Sequence, residues 1–229
     1  MQTNAVYQFQ KKVNRKEVKF VMTTLVITIL VGALSSYFKL GTRSAFFLAF
    51  GIYGMLTWYA FRQNDRFLKR LLVFGLVAGI GELLADCWLV QNTGTLFYPT
   101  HEPMIACSPL YMPFAWAVVL IQVGYLGWLM SQEEKLWVSI LATTIIGFVF
   151  IPLFEHWAKG AGWWYYNNCK MIGNTPWYII LAEGMICSVL PLFFRHIHQR
   201  NYVWQIPLGL IQGLWIWISY YIAFKLIEG

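Results

Sequence analysis

Seven apolar runs divide the sequence, at roughly residues 20–39, 44–61, 70–90, 110–130, 136–157, 176–194 and 204–226, each near the roughly 20 residues a helix needs to cross a bilayer. In hydrocarbon the backbone N–H and C=O groups find no water, so runs of this length must bond internally as helices. The charged share is 12%, about half of the ~25% usual in soluble domains. The expected fold class is therefore all-α, a polytopic membrane protein built as a seven-transmembrane-helix bundle. Residues 20–229 form its single membrane domain, behind a basic cytoplasmic segment at 1–19.

The net charge of +7 does not indicate nucleic acid, because the basic residues cluster at the ends of the apolar runs, where they set orientation. Lys11, Lys12, Arg15, Lys16, Lys19, Arg62, Arg66, Lys69, Arg70, Lys135, Arg195 and Arg200 fall on one side, and Lys39, Arg43, Lys159, Lys170 and Lys225 on the other. The bias predicts a cytoplasmic N-terminus, with the C-terminus and the two longest connections outside. The first run exceeds a signal-peptide core and lacks a small-residue cleavage site after it, so it reads as a retained helix.

Those two long connections, 91–109 and 158–175, are rich in Gly, Asn, Pro and aromatics, and function concentrates on such loops. They also resemble each other. Leu84-Ala85-Asp86-Cys87-Trp88 aligns with Leu153-Phe154-Glu155-His156-Trp157. With one gap, Gly94 and Tyr98 then meet Gly162 and Tyr166, and Ser108-Pro109-Leu110-Tyr111 meets Thr175-Pro176-Trp177-Tyr178. The alignment predicts a parallel internal repeat of helix pairs 3–4 and 5–6, with a site between the halves. Trp and Tyr favour both membrane interfaces in any case, which is the competing explanation. No CxxC pair occurs among the cysteines, against a zinc ribbon. Cys107 and Cys169 lie in the two loops, where a mutual disulfide in an oxidising compartment and unpaired small residues are both compatible readings.

Ionisable residues inside apolar runs are costly and mark function or a buried pair. Glu82 and Asp86 stand at i and i+4, on one helix face that also carries Gly75 and Gly79. Glu183 and Glu82 both fall roughly 10–12 Å below the outer boundary at 1.5 Å per residue, so the two carboxyls are candidates to face each other. Glu155 lies nearer the surface beside His156. A carboxyl in an apolar site can keep its proton and serve as general acid while a better hydrated one serves as base. Glu82 and Glu183 are expected as the buried acid and its partner, with Asp86 and Glu155 as base or water-orienting groups. Tyr98, Tyr111, Trp116, Trp157, Trp163, Trp164, Tyr166, Trp177 and Tyr178 are expected to line the substrate pocket, since aromatic faces attract a cation without attacking it.

Rival uses of the acids are weaker. Glu82, Asp86, Glu155 and Glu183 with His101, Glu102 and His156 offer metal-ligand types, but neither Glu-x-x-His nor His-Glu-x-x-His occurs. The Glu82-x-x-x-Asp86 spacing resembles the acidic motif of membrane prenyltransferases, yet it occurs once and without a basic cluster for a diphosphate. No metal or cofactor is expected. Lys225 lies too near the C-terminus to be the cofactor lysine of a rhodopsin, and His196 and His198 read as a solvated helix end.

Asp86, the loop Gly94-Thr95-Leu96-Phe97-Tyr98 and the stretch Pro109-Leu110-Tyr111-Met112-Pro113-Phe114-Ala115-Trp116 resemble the carotenoid hydratase family and its relatives, the small-subunit lycopene cyclases. The likeness spans about residues 82–185 and lacks the cyclases' Pro-Glu-Glu motif. The resemblance implies acid–base chemistry on polyene or terpenoid double bonds without a redox cofactor. The expected function is hydration, cyclisation or isomerisation of an isoprenoid, terpenoid or carotenoid-like lipid drawn from the membrane. A proton- or ion-coupled small-solute transporter, and a non-catalytic subunit binding a lipid or pigment, are the alternatives. Helices one, two and seven are expected to be scaffold, with Gln205, Gly209, Gln212 and Ser219 of the last facing inward.

Overall fold

The computed structural model describes residues 14–99 and 101–229; residues 1–13 of the expected basic segment lie outside them. Asn14 accepts a hydrogen bond from the Lys16 amide at 3.1 Å and starts helix α1 (Arg15–Phe38). Arg15 to Lys19 are thus the first turn of a helix rather than a tail preceding it. Helix α2 (Thr42–Arg62) returns, and Asp65 caps α3 (Arg66–Trp88) by accepting from the Phe67 and Leu68 amides, each at 2.9 Å. A π-helical turn, Leu89–Thr93, extends α3 past its expected end. Helices α4 (Met112–Glu133), α5 (Leu136–Ala161), α6 (Trp177–Ser188), α7 (Leu190–Gln199) and α8 (Gln205–Ile227) complete the bundle. The sixth run was expected to be one helix. It is interrupted at Val189, and Pro191 in the first turn of α7 has no N–H to continue the ladder.

Counting α6 and α7 as one span, the described residues form 7 helices long and apolar enough to cross a membrane. Helix α3 packs chiefly on α8 and α4, α5 on α6, and α1 on α5 and α2. Gly75 and Gly79 of α3 lie directly against Ala117 and Pro113 of α4, and Gly147 of α5 lies against the main chain of Glu183 in α6. A Cβ at Gly147 would run into the Glu183 carbonyl, so the absence of a side chain brings α5 and α6 together at the level of an acid. Around the circumference large apolar side chains face outward, Phe47 at 74%, Trp137 at 62% and Leu226 at 70% exposure. An apolar surface this extensive needs a partner phase.

The two long connections fold into short ladders at one end of the bundle. Strand β1 (Leu96–Phe97) is followed by the hairpin of β2 (Met104–Ile105) and β3 (Ser108–Pro109). Strand β4 (Tyr165–Tyr166) pairs antiparallel with β1, bringing Leu96 opposite Tyr166 and Phe97 opposite Tyr165. A second hairpin of β5 (Met171–Ile172) and β6 (Thr175–Pro176) follows. Gly94 and Gly162 end the preceding helical segments with φ of 63° and 76°, the left-handed cap that glycine favours. Ala106 and Gly173, at φ 52° and 60°, occupy the same place in the two hairpin turns.

The disulfide considered between Cys107 and Cys169 is not formed. Cys107 bonds instead to Cys87, with Cα atoms 4.9 Å apart, and Cys169 is a free thiol. The β2–β3 hairpin folds back over the end of α3 and brings Cys107 there, away from Cys169 in the other connection. His196 is exposed, as a solvated helix end requires, while His198 is half-buried, its ring packing against Phe67 at 5.3 Å and Trp128 at 5.8 Å.

Candidate active site

Helix α3 places Glu82 and Asp86 on one face, and both are buried, at 0% and 4% exposure. Asp86 Oδ2 accepts two hydroxyl donors, Tyr98 Oη at 2.5 Å and Ser108 Oγ at 2.6 Å. The hairpin end therefore reaches over the helix to hold this acid from two directions. Neither oxygen of Glu82 completes a hydrogen bond of ordinary geometry with a described donor; its polar neighbours are the Asp86 carboxyl and the Trp116 indole. Glu155, near the end of α5, accepts from Trp164 Nε1 at 2.6 Å. Glu183, on α6, accepts from Tyr220 Oη of α8 at 2.6 Å through Oε1, while Oε2 meets no described donor.

Asp86, Glu155 and Glu183 open into one cavity of about 90 Å³, and Glu82 stands behind its wall beside Asp86. Tyr98, Tyr111, Trp116, Trp163, Trp164 and Tyr166 line the cavity. Trp157, Trp177 and Tyr178 do not. Trp157 packs against α1 at Gly32, Trp177 is 45% exposed, and Tyr178 is buried with its hydroxyl bonded to Thr95 at 2.7 Å. Helices α1 and α2, expected as scaffold, contribute Thr28, Ala45, Leu48 and Ala49 to the cavity lining.

The cavity is roofed by the β1–β4 ladder, where the Phe97 and Tyr165 rings stack at 5.3 Å. Trp163 ties this roof to the α1–α2 turn through Nε1, which donates to Ser44 Oγ at 2.9 Å and the Gly41 carbonyl at 3.1 Å. Burial, followed by the nearby Asp86 and Glu82 carboxyls, pushes the Tyr98 phenol well above its ordinary range, so it remains a donor to Asp86. Burial and then Glu155 do the same to Tyr166. Burial, then Glu102 and Asp86, raise Tyr111, which lines the cavity and whose buried hydroxyl has no described partner.

No lysine, arginine or histidine stands among the described residues that line the cavity. Nor do any three His, Cys, Asp or Glu side chains among them converge closely enough to hold one metal ion. Glu102 instead takes the Thr42 hydroxyl, His156 meets Asn174 at 3.3 Å, and His101 is exposed. The acids thus face an apolar, aromatic space free of fixed positive charge.

Two groups of the site escaped the sequence reading. Tyr220 lies eight positions after Gln212, on the inward stripe already traced along the last helix, and extending that stripe by one residue finds it. Ser108 stood inside the aligned Ser-Pro-Leu-Tyr stretch, but no spacing announced that it would bond Asp86. Comparison with known proteins finds no match among curated proteins or solved structures. A family description matches residues 83–227, which contain Asp86, Glu155, Glu183 and Tyr220. The chain belongs to the family defined by that description, the domain of unknown function DUF6989.

Proposed function

We propose that this chain is a multi-pass integral membrane enzyme that carries out carbocation-type hydration, cyclisation or isomerisation of an isoprenoid, terpenoid or carotenoid-like lipid. The observation that carries this reading is the group of buried carboxyls opening into an aromatic cavity without a cation beside them. Such a site repels phosphate, diphosphate and carboxylate groups and accepts an uncharged, apolar molecule. The outward-facing apolar surface supports placement in a bilayer. The charge bias supports a cytoplasmic N-terminus. The Cys87–Cys107 disulfide supports an oxidising compartment at the hairpin end. The matched glycine caps, hairpin turns and acid positions support a parallel repeat of the α3–α4 and α5–α6 units.

In the proposed reaction, Glu183 delivers a proton from its free Oε2 to a carbon–carbon double bond, while Tyr220 fixes Oε1. The carbocation so formed faces the Trp116, Trp164 and Tyr166 rings, whose quadrupoles stabilise it without forming a bond. Asp86 or Glu155 then takes up a proton. Loss from the substrate itself ends an isomerisation or cyclisation, and loss from a water that has attacked the cation ends a hydration. Lipid mass spectrometry on protein purified from its native membrane tests the reading. A co-purifying polyene or terpenoid, converted by wild type and not by Glu183→Gln, supports it; bulk phospholipid alone overturns it.

One observation favours transport as a second reading. Gln205 Oε1, Gln212 Oε1 and Ser219 Oγ are buried on one face of α8 without described partners, on the helix that bears Tyr220. Proton flux into proteoliposomes in the absence of any lipid conversion would favour it.

A further inference from the structure

Asp86, Glu155, Glu183 and Tyr220 bring acids and a phenol to the cavity lining, whereas α1 and α2 bring Thr28, Ala45, Leu48 and Ala49. Ala45 and Ala49 are one turn apart on α2, so both point the same way. Each is 4% exposed and each presents only a methyl group to a space that a larger side chain would fill. Beside them Phe46 packs on Phe50 at 4.4 Å and Phe50 on Phe114 of α4 at 4.3 Å, and Tyr53 meets the same Phe114 ring at 5.3 Å. These aromatic rings make the contact between α2 and α4, and none of the four lines the cavity.

The family description begins at residue 83, after α1 and α2. Asp86, Glu155, Glu183 and Tyr220 fall inside the matched part, and Thr28, Ala45, Leu48 and Ala49 outside it.

We infer that the α1–α2 side of the cavity holds the hydrocarbon tail of the substrate and sets the tail length accepted, with Ala45 and Ala49 as the limiting positions. The inference rests on the cavity being a lipid-substrate site. The tail it accepts is uncharged, because the side facing it offers one hydroxyl, that of Thr28, which already receives a hydrogen bond from Gln122 Nε2 at 3.0 Å. Filling the wall at Ala49 shortens the longest tail that fits, and hollowing it at Leu48 lengthens that limit.

The test uses the full chain in nanodiscs with an equimolar mixture of geraniol, farnesol and geranylgeraniol, with retained alcohol read by native mass spectrometry. Ala49→Phe is expected to lower retention of the longest alcohol kept by wild type by about tenfold relative to the shortest, the discrimination a misfitting apolar unit produces. Leu48→Ala is expected to move the preference the other way, which guards against an Ala49→Phe chain that simply fails to fold. A length preference unchanged in both folded variants overturns the inference, and so does a wild type that keeps none of the three alcohols. Failure of the catalytic reading looks different: the preference shifts with Ala49 and Leu48 while Glu183→Gln leaves lipid conversion unchanged.

Discussion

Cys107 is covalently joined to Cys87, the residue next to Asp86, and its own neighbour Ser108 donates a hydrogen bond to Asp86 at 2.6 Å. Two adjacent links, one covalent and one polar, thus fasten the β2–β3 hairpin to the end of α3. In the other long connection His156, which follows Glu155, meets Asn174 at 3.3 Å, while Thr175 donates to the Pro152 carbonyl at 3.1 Å. There the hairpin is fastened to the preceding helix by hydrogen bonds alone.

Cutting the covalent link is expected to cost stability first. The disulfide closes a separation of 20 residues, for which loop-closure arguments give about 3 kcal/mol. Cys87→Ser with Cys107→Ser, or reduction of the wild type, should lower the thermal midpoint in detergent. Thermal unfolding with and without reductant checks this, and an unchanged midpoint would show that the hairpin is held by its other contacts alone.

Tyr220 holds Glu183 by one hydrogen bond, and removing its hydroxyl leaves both carboxyl oxygens without a described donor. Glu183→Gln should reduce lipid conversion by about 10²–10⁴-fold, the usual contribution of a positioned general acid. Tyr220→Phe should cost less, about tenfold, because the proton donor survives while its orientation does not. Turnover of both variants against one substrate preparation measures the difference. Equal losses would make Tyr220 part of the proton transfer itself.

Cys169 offers a titration outside the spans. Burial, and then the carboxylate of Glu228, push its thiol up to about 11. The thiolate is the reactive form, so maleimide labelling at pH 7 should be slow and should accelerate as pH rises towards that value. Removing the negative charge with Glu228→Gln stabilises the thiolate and should speed labelling at any pH below it. Mass-spectrometric labelling rates across the range test both signs, with buried Cys187 as the unlabelled internal control.

The spans were legible because hydrocarbon imposes a length and a composition, and the acids were legible because a carboxyl in an apolar run stands out. Ala45 and Ala49 carried no such mark. They line the cavity with small side chains, and that placement exists only once the helices are packed together. Tyr220 was hidden among aromatics that an interface would attract anyway. The Cys87–Cys107 pair was hidden because the hairpin turn, not the spacing, carries Cys107 back to the end of α3. Trp157, Trp177 and Tyr178 show the converse: aromatic residues near the right end of the bundle that face away from the cavity or pack elsewhere.

Gly147 gives a test of how the second acid is positioned. It lies against the Glu183 main chain, and its added Cβ would meet the Glu183 carbonyl and come within 3.0 Å of Cys187 Cβ. Backbone cannot move aside as a flexible side chain can, so Gly147→Ala must push α6 away from α5. Overpacking of this kind costs about 1–3 kcal/mol, and the displacement moves Glu183 relative to both Glu155 and Tyr220. A stability loss accompanied by a larger fall in conversion than an equally destabilising change elsewhere on α5 would tie the helix contact to the site. Ile145→Ala, on an outward-facing position at 51% exposure, supplies the comparison with no contact to the acids. Matched stability losses and matched activity losses in the two variants would mean that the α5–α6 contact holds the bundle without placing Glu183.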